Sequence, residues 1–259
     1  MELTIYHIDA FASKLFEGNP AAVCPLYSWL PDDKMQKIAF ENNLSETAFF
    51  VQKGEGFHIR WFSPTSEVDL CGHATLAAAF VLFHILDYDK NVIEFESKSG
   101  LLKVIKDDDN LILDFPAQLP TPSDISQEII NALNITPIEC LKSQDLIVVL
   151  NDENDVQTVE PDFDELKKFS LRGVIVTAQS KTYDFVARCF FPSIGIQEDP
   201  VTGSAYTQLA PYWSSKLGKS VFSAKQLSER GGELICELYN DRVLISGKAV
   251  KYMEGKISI

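Results

Sequence analysis

The chain has 259 residues, of which 46% are hydrophobic and 23% charged, as in ordinary globular proteins with apolar cores. Its formal net charge of −14 argues against nucleic acid as a partner, because phosphate contacts need clustered Lys and Arg. No apolar run approaches the roughly 20 residues of a membrane span, and residues 1–9 are interpreted as a strand rather than a secretory signal. The five cysteines are scattered without a CxxC pair, which favours free thiols in a reducing cytoplasm over disulfides or a zinc site.

The first half of the chain combines strand-like runs with one apolar helix. A helix is predicted over about 74–86, where apolar residues recur at helical spacing and also occupy nearly every other face. A helix that is apolar all round is usually buried, so we expect it inside a curled sheet. Strands are predicted over 3–10, 21–26, 46–52 and 57–62, and a hairpin over 101–105 and 111–113.

The second half begins after a proline-rich stretch, residues 115–122, which is interpreted as a hinge. Ser123 is predicted to cap a short helix over 123–133, and another short helix is predicted over 164–169. A second hairpin is predicted over 233–238 and 242–245.

Two parts of the chain repeat each other. Residues 57–64 and 185–192 share Phe, Arg, Phe and Pro at a constant offset of 185 − 57 = 128. Gly72 and Gly203 each precede an apolar run, at an offset of 203 − 72 = 131. The repeat predicts two related halves, 1–116 and 117–259, with the return of the last strand to the first half left open, and a site shared by both.

The glycine turns are candidates for binding an anion. Gly72-His73 and Gly203-Ser204 each open a helix, where free backbone N–H groups and the positive helix end meet. Such turns would bind a carboxylate without a surplus of basic side chains. The simpler interpretation is that each glycine only permits a tight entry to a buried helix. His73 gains interest from its position, since a helix N-terminus tends to keep an imidazole neutral and able to relay protons.

Two carboxylates break the similarity of the halves. Glu46 leads an apolar strand, and the offset of 128 places the aliphatic Val174 at the matching position. A single carboxylate suits a catalytic base, and apolar neighbours are expected to raise its pKa; the alternative is a surface residue at a strand start. Asp199 lies in an acidic insertion before Gly203, where it is either functional or a helix cap.

Cys71 precedes the first glycine turn, and a thiol at a helix N-terminus tends toward the thiolate. A racemase with two thiols needs a second cysteine at the matching position, but that position is Thr202. The symmetric two-cysteine mechanism is therefore excluded. No phosphate loop, HExxH or GxSxG motif is present, so nucleotide binding, zinc peptidase and serine hydrolase functions have no support.

Together these residues resemble the PhzF-like isomerases of phenazine biosynthesis, within the diaminopimelate epimerase-like superfamily. The resemblance extends over essentially the whole chain and implies an α+β fold of two pseudo-symmetric halves, each a curled, mostly antiparallel sheet around a central apolar helix. It rests on five ordered motifs: DAF (9–11), GNPAAV (18–23), SETAF (45–49), CGHAT (71–75) and EDPVTGSA (198–205).

The resemblance implies a cofactor-independent isomerase, without a metal, that moves a proton and a double bond in a small carboxylic acid. Glu46 corresponds to the general base and acid, His73 and Asp199 to supporting groups, and the two glycine turns with Ser204 to the carboxylate site. Well-studied members act on a cyclohexadiene acid. A Cys71/Thr202 pair also resembles hydroxyproline dehydratases, so a racemase- or dehydratase-type enzyme that uses Cys71 stays open, as does a non-catalytic binding protein. A cytoplasmic homodimer is expected, since sheet edges need cover.

Overall fold

The computed structural model describes residues 1–259 and contains two compact units. The first unit comprises Met1–Asp114 and Ser246–Ile259, and the second comprises Phe115–Ile245. The chain begins with β1 (Glu2–Ala10), β2 (Asn19–Leu26), α1 (Asp32–Asn42), β3 (Glu46–Lys53), β4 (Gly56–Phe62), β5 (Glu67–Val68), α2 (Gly72–His84), β6 (Val92–Ser97), β7 (Gly100–Asp107) and β8 (Asn110–Pro116). It continues with β9 (Thr121–Ser123), α3 (Gln127–Leu133), β10 (Glu139–Lys142), β11 (Leu146–Val149), α4 (Glu153–Thr158), α5 (Phe163–Leu166), β12 (Val174–Gln179), β13 (Phe185–Phe191), β14 (Ile196–Asp199), α6 (Gly203–Leu217), β15 (Val221–Gln226), β16 (Gly232–Tyr239), β17 (Arg242–Gly247) and β18 (Ala249–Ser258).

The sheet of the first unit runs in the order β18–β1–β2–β3–β4–β6–β7–β8, with β5 beside β4. Only the β2–β3 and β4–β6 pairs are parallel. Helix α2 contacts β18, β1, β2 and β3 near one end of this order and β7 near the other. A single helix can touch both ends only if the sheet curls around it, which explains why α2 is apolar on every face and almost wholly buried.

The sheet of the second unit runs in the order β9–β10–β11–β12–β13–β15–β16, with β14 beside β13. Its parallel pairs, β11–β12 and β13–β15, take the same places as those of the first unit. The central helix α6 packs on this sheet through aromatic rings: Trp213 stacks on Phe185 of β13 at 5.5 Å between centroids. Its indole nitrogen also donates to the Thr177 hydroxyl of β12 at 3.1 Å.

Short helices cover the other face of each sheet. In the first unit, Met35 and Ala39 of α1 pack into a cluster with Phe49 and Phe62. In the second, residues of α3, α4 and α5 pack against β11 to β13. The longest helix, α6, has 15 residues, and none of the helices is long and apolar enough to cross a membrane.

Most of the predicted elements lie where the sequence patterns place them, but the start of α3 differs. Ser123, predicted as its N-cap, belongs to β9 and pairs with Cys140 of β10. The N-cap is Ser126, whose hydroxyl accepts a hydrogen bond from the Ile129 amide at 3.3 Å. The predicted cap is wrong because Pro122 and its neighbours extend the strand pairing before the helix can begin. Helix α5 is also shorter than predicted and ends at Leu166.

Candidate active site

Glu46 begins strand β3, which pairs in parallel with β2 and antiparallel with β4. Just before it, α1 ends at Asn42, and the left-handed backbone of its C-cap residue Asn43 (φ 47°) turns the chain into the strand. The strand begins beside Ala21 of β2, and only 8% of Glu46 remains exposed. Glu46 is thus a buried carboxylate rather than a surface residue at a strand start.

His73 is the second residue of α2, and its imidazole reaches Glu46. His73 Nε2 lies 3.1 Å from Glu46 Oε2, with both side chains almost fully buried. Despite this short separation, Glu46 Oε2 has no hydrogen-bond partner. Leaving a buried carboxylate oxygen unsatisfied costs about 1–3 kcal/mol or more, so this oxygen does not stabilise the fold.

Asn19 and Ser45 orient the imidazole from its other side. The Ser45 hydroxyl donates to Asn19 Oδ1 at 3.2 Å, which directs the amide nitrogen of Asn19 toward His73 Nδ1, also at 3.2 Å. From this network Nδ1 is assigned as the acceptor in the neutral ring, so the ring proton lies on Nε2, next to Glu46. The network therefore selects the nitrogen through which His73 exchanges a proton with its surroundings.

Gly18 positions Asn19 at the start of β2. Its backbone is left-handed (φ +68°), and a Cβ there would lie 2.1 Å from the carbonyl oxygen of Ala10. No residue with a side chain fits this turn, so glycine is required on grounds of both conformation and space. The close approach to β1 brings the following Asn19 into the interior, where it is 0% exposed.

Cys71 is the N-cap residue of α2, and its side chain lies beside the imidazole of His73. Its Sγ lies 3.6 Å from His73 Nδ1 and 3.9 Å from Nε2, and 7% of the residue is exposed. None of the five cysteines forms a disulfide, and all five are buried. Among the others, burial raises the pKa of the Cys24 thiol to about 12 and, with help from the charge of Glu139, that of Cys140 to about 11. Cys71 differs because its sulfur contacts a titratable ring.

The pKa of Glu46 lies below its ordinary value. Burial alone raises it, but the polar contact with His73, the positive charge that this ring carries when it is protonated, and the contact with Cys71 outweigh burial and lower it. The expectation of a raised pKa is therefore wrong: it took account of the apolar strand but not of the ring and thiol that α2 brings beside it. Glu46 is ionised at neutral pH and can accept a proton.

Asp199 lies in the second unit, at the end of β14, and is 8% exposed. The hydroxyl of Thr202 donates to Asp199 Oδ2 at 2.5 Å. The buried side chain of Gln226 holds the same turn, since its amide donates to the Asp199 carbonyl at 2.7 Å and accepts from the Thr202 amide at 3.0 Å. Thr202, not Asp199, is the N-cap residue of α6, so Asp199 does not serve as the cap.

Ser204 belongs to a different buried network of the second unit. Arg172 donates through Nη2 to the Ser204 hydroxyl oxygen at 3.0 Å. The same guanidinium binds both oxygens of Asp145, a residue with 0% exposure, which also accepts from Gln208 at 2.7 Å. Because Arg172 uses the oxygen of Ser204 as an acceptor, the hydroxyl proton is left to point elsewhere, toward a further acceptor.

The structure thus groups the candidate residues by unit. Glu46, Cys71 and His73 come together, with ligand-type atoms within 4.8 Å of one another, a set that could hold a metal ion. Gly72 and Gly203 each begin a helix whose N-cap side chain makes no capping hydrogen bond, as expected for turns that keep N–H groups available. Among the orienting residues, Asn19 lies in the GNPAAV motif, but no local signal in the sequence marks Asp145, Arg172 or Gln208.

Comparison with known proteins identifies the family. The family of phenazine biosynthesis-like proteins matches residues 8–255, so the chain belongs to it. An uncharacterized isomerase of Pseudomonas aeruginosa is 52% identical over 259 residues and the full length of both chains. The crystal structure of a phenazine biosynthesis protein of the PhzF family from Enterococcus faecalis has a TM-score of 0.99, at 48% identity and full coverage of both chains.

A more distant likeness shows the fold alone. A hydroxyproline epimerase from Agrobacterium vitis has a TM-score of 0.66 at 10% identity, covering 99% of this chain and 92% of that chain. The predicted fold class, two epimerase-like halves with curled sheets around central helices, is confirmed.

Proposed function

We propose that this protein is an isomerase that moves a proton and a double bond within a small carboxylic acid, with Glu46 as the group that removes and returns the proton. The observation that carries the proposal is the buried contact between Glu46 and His73, in which Oε2 has no hydrogen bond and is free to accept a proton. Membership of the phenazine biosynthesis-like family and a half-identical relative described as an isomerase support it.

The chemistry follows from the protonation states of the pair. Glu46, whose pKa is lowered by its neighbours, starts ionised and takes a proton from a carbon of the substrate. The electron pair of the broken C–H bond moves into the conjugated system, and the proton returns at another carbon of that system. His73, whose Nε2 lies 3.1 Å from the carboxylate, exchanges protons with this group. No cofactor is needed for such a transfer.

A carboxylate base restricts the class of substrate, because a carboxylate is weakly basic even at its ordinary pKa. A weakly basic carboxylate removes a proton efficiently only from an acidic C–H bond, because proton transfer is fastest between groups of matched pKa. A C–H bond flanked by a double bond and a conjugated carboxylate, as in a cyclohexadiene acid, meets this requirement. We therefore place the substrate among unsaturated cyclic carboxylic acids rather than simple saturated ones.

The remaining predicted residues are assigned to binding. Backbone N–H groups at Gly72, at the start of α2, and those at Gly203 with the Ser204 hydroxyl, at the start of α6, are each assigned to binding an anion, as helix N-termini bind anions generally. The contact from Arg172 supports this role, because it leaves the Ser204 proton available for donation. Asp199, with Thr202 as its hydrogen-bond donor, is assigned to the supporting polar set.

The test is a screen for deuterium uptake. Unsaturated and saturated small carboxylic acids are incubated with the protein in D2O and followed by proton NMR. We expect deuterium to enter at the carbon that receives the proton, together with a shifted double bond, only for acids with an activated C–H bond. Isomerisation without any solvent deuterium, under slow turnover, would contradict a solvent-exchanging carboxylate base.

A second candidate function uses the thiol. Cys71 Sγ lies 3.6 Å from His73 Nδ1, and an imidazole beside a thiol at a helix N-terminus favours the thiolate that a racemase- or dehydratase-type enzyme needs. Under this alternative iodoacetamide labels Cys71 rapidly and abolishes turnover, and Cys71→Ala is inactive. Under the proposed function Cys71→Ala keeps its activity.

A non-catalytic binding protein would be stabilised by small carboxylates but would not exchange deuterium into them. The cytoplasmic homodimer stays a prediction.

A further inference from the structure

Glu46, Cys71 and His73 form a compact group of three different metal-binding side chains, here called the Glu46–Cys71–His73 cluster. One carboxylate oxygen, one sulfur and one ring nitrogen lie within 4.8 Å of one another, and all three residues are buried. They come from two places in the chain, the start of β3 and the first turn of α2. Nothing in the spacing of the cysteines predicts such a site, because the fold alone brings the carboxylate to the thiol.

Two of the three separations in the cluster are close to those of tetrahedral ligands, and the third, between Glu46 and Cys71, is within 4.8 Å. With metal–nitrogen and metal–oxygen bonds of about 2.0–2.2 Å and a metal–sulfur bond of about 2.3 Å, tetrahedral zinc holds nitrogen and oxygen about 3.4 Å apart and nitrogen and sulfur about 3.6 Å apart. His73 Nε2 lies 3.1 Å from Glu46 Oε2 and 3.9 Å from Cys71 Sγ. Each distance is within a few tenths of an ångström of the tetrahedral value.

The orientation of the two closest groups also fits a shared ion. Glu46 Oε2 is a buried oxygen with no hydrogen-bond partner, although Nε2 lies close enough to donate. Two ligand-type atoms that lie close together without a hydrogen bond between them can both bind one ion. An ion there would satisfy the oxygen that the protein leaves unsatisfied.

We propose that the Glu46–Cys71–His73 cluster binds a thiophilic divalent cation, Zn²⁺ in particular, with Glu46 Oε2, Cys71 Sγ and His73 Nε2 as ligands and water as the fourth. Sulfur and imidazole favour Zn²⁺ over Mg²⁺ or Ca²⁺, which prefer oxygen ligands alone. Binding releases the Cys71 proton to solvent, and the resulting thiolate and the carboxylate together balance the two positive charges in the buried site.

The surroundings of His73 can adapt to the ion. Binding through Nε2 moves the ring proton to Nδ1, which then needs an acceptor. A half-turn of the Asn19 amide presents its oxygen to Nδ1, and the Ser45 hydroxyl, which donates to Asn19 in the metal-free protein, accepts from the amide nitrogen instead. A partner that receives the second N–H of a ligating histidine is the usual support of a zinc site.

The ion would act as an inhibitor rather than as a catalyst. This consequence rests on the proposed function, since the ion occupies the oxygen that removes the substrate proton and the ring nitrogen beside it. Zn²⁺ should then stop turnover reversibly, and a chelator should restore it. Binding itself does not depend on the proposed function and has its own readout.

The experiment titrates Co²⁺ into the reduced, metal-free protein and records its absorption spectrum. We expect a thiolate-to-cobalt charge-transfer band in the near ultraviolet and strong tetrahedral d–d bands, both saturating at one equivalent and both lost on adding Zn²⁺. Cys71→Ser removes the charge-transfer band and weakens binding by about 100-fold or more, since loss of mere outer-shell partners costs about 10–100-fold. Cys140→Ala, which removes a buried thiol of the second unit, keeps the full spectrum.

The possible results separate the two proposals. A wild-type protein without the charge-transfer band, or a Cys71→Ser variant that keeps it, overturns the metal site and leaves the proposed function untouched. Glu46→Gln checks the third ligand independently of the thiol and should also weaken Co²⁺ binding; unchanged binding would contradict the proposed ligand set. A normal spectrum with no inhibition of deuterium exchange by Zn²⁺ supports the site but removes Glu46 as the base.

Discussion

The amide of Asn19 contacts His73 Nδ1 at 3.2 Å, and this contact assigns the ring proton to the nitrogen beside Glu46. Replacing Asn19 by Leu removes the donor and leaves Nδ1 free to hold the proton. We expect turnover to fall by about 10–100-fold, as when the partner that orients a functional histidine is lost. Nitrogen-15 NMR of the ring reports the tautomer directly.

The control for this variant is Asn154→Ala on the exposed surface of α4. It should change neither the tautomer nor the rate. A ring that keeps its proton on Nε2 in Asn19→Leu would show that Asn19 does not set the tautomer.

Gly18 is expected to be irreplaceable because of space as well as backbone conformation. A Cβ at Gly18 would lie 2.1 Å from a backbone oxygen, whereas Gly54 has a similar φ of +61° and nothing within 4 Å. Gly54→Ala should cost about 1 kcal/mol of unfolding free energy from conformation alone. Gly18→Ala should cost more, by several-fold, and should lower turnover by shifting Asn19. Urea unfolding of the two variants measures the difference, and equal losses would contradict it.

Arg60 holds Glu67 through two hydrogen bonds of 2.7 and 2.9 Å, and Lys98 adds a third. The Arg60 contact is the main cause that lowers the pKa of Glu67 to about 2, although burial opposes it. A lowered carboxyl pKa contributes stability above the unfolded value, and that contribution is lost as pH falls toward the folded value. Glu67→Gln should therefore cost about 1.5–3 kcal/mol at pH 7 and clearly less at pH 3.

Urea unfolding at both pH values tests this, with Glu41→Gln on the exposed face of α1 as the matched control. The control should change little at either pH. A loss for Glu67→Gln that is the same at pH 7 and pH 3 would show that the ion pair does not carry the effect.

Asp145 is fully buried and depends on Arg172 and Gln208 for its charge to be tolerated. Arg172→Met leaves a buried carboxylate without its cation and should cost about 3–5 kcal/mol. The double variant with Asp145→Asn should recover part of that loss, because the charge is gone. If Arg172 also orients Ser204, the double variant stays impaired in carboxylate binding after stability has recovered. Chemical unfolding and titration with substrate separate these effects.

The local patterns predict the elements around the site but not the contacts within it. Periodicity locates α2 and the strand that begins at Glu46, and the apolar character of α2 on all faces predicts its burial. Helix α1 was not predicted: it buries only Met35, Ile38 and Ala39, a narrow apolar stripe on an otherwise polar segment. Short amphipathic segments of this kind are decided by what packs against them.

Side-chain networks over long sequence separations have no local signature. Asp145 lies 27 residues before Arg172 and 63 before Gln208, so neither pairing can be read from spacing. The prediction that the pKa of Glu46 is raised was wrong for the same reason, because the ring that lowers this pKa belongs to another element, helix α2. By contrast, Arg60 and Arg188, at the predicted offset of 128, each bind a glutamate with distances of 2.7 and 2.9 Å.

The most direct test of Glu46 as the proton-transferring base is deuterium uptake by Glu46→Gln, measured by NMR in D2O on the acid that the wild-type protein isomerises. The substitution preserves shape but removes the basic oxygen, so we expect exchange and isomerisation to fall by about 10²–10⁴-fold, the usual contribution of a general base. Substrate binding and Tm should remain near those of the wild type, and Glu41→Gln should be fully active. A Glu46→Gln protein that exchanges and isomerises at the wild-type rate would contradict the assignment.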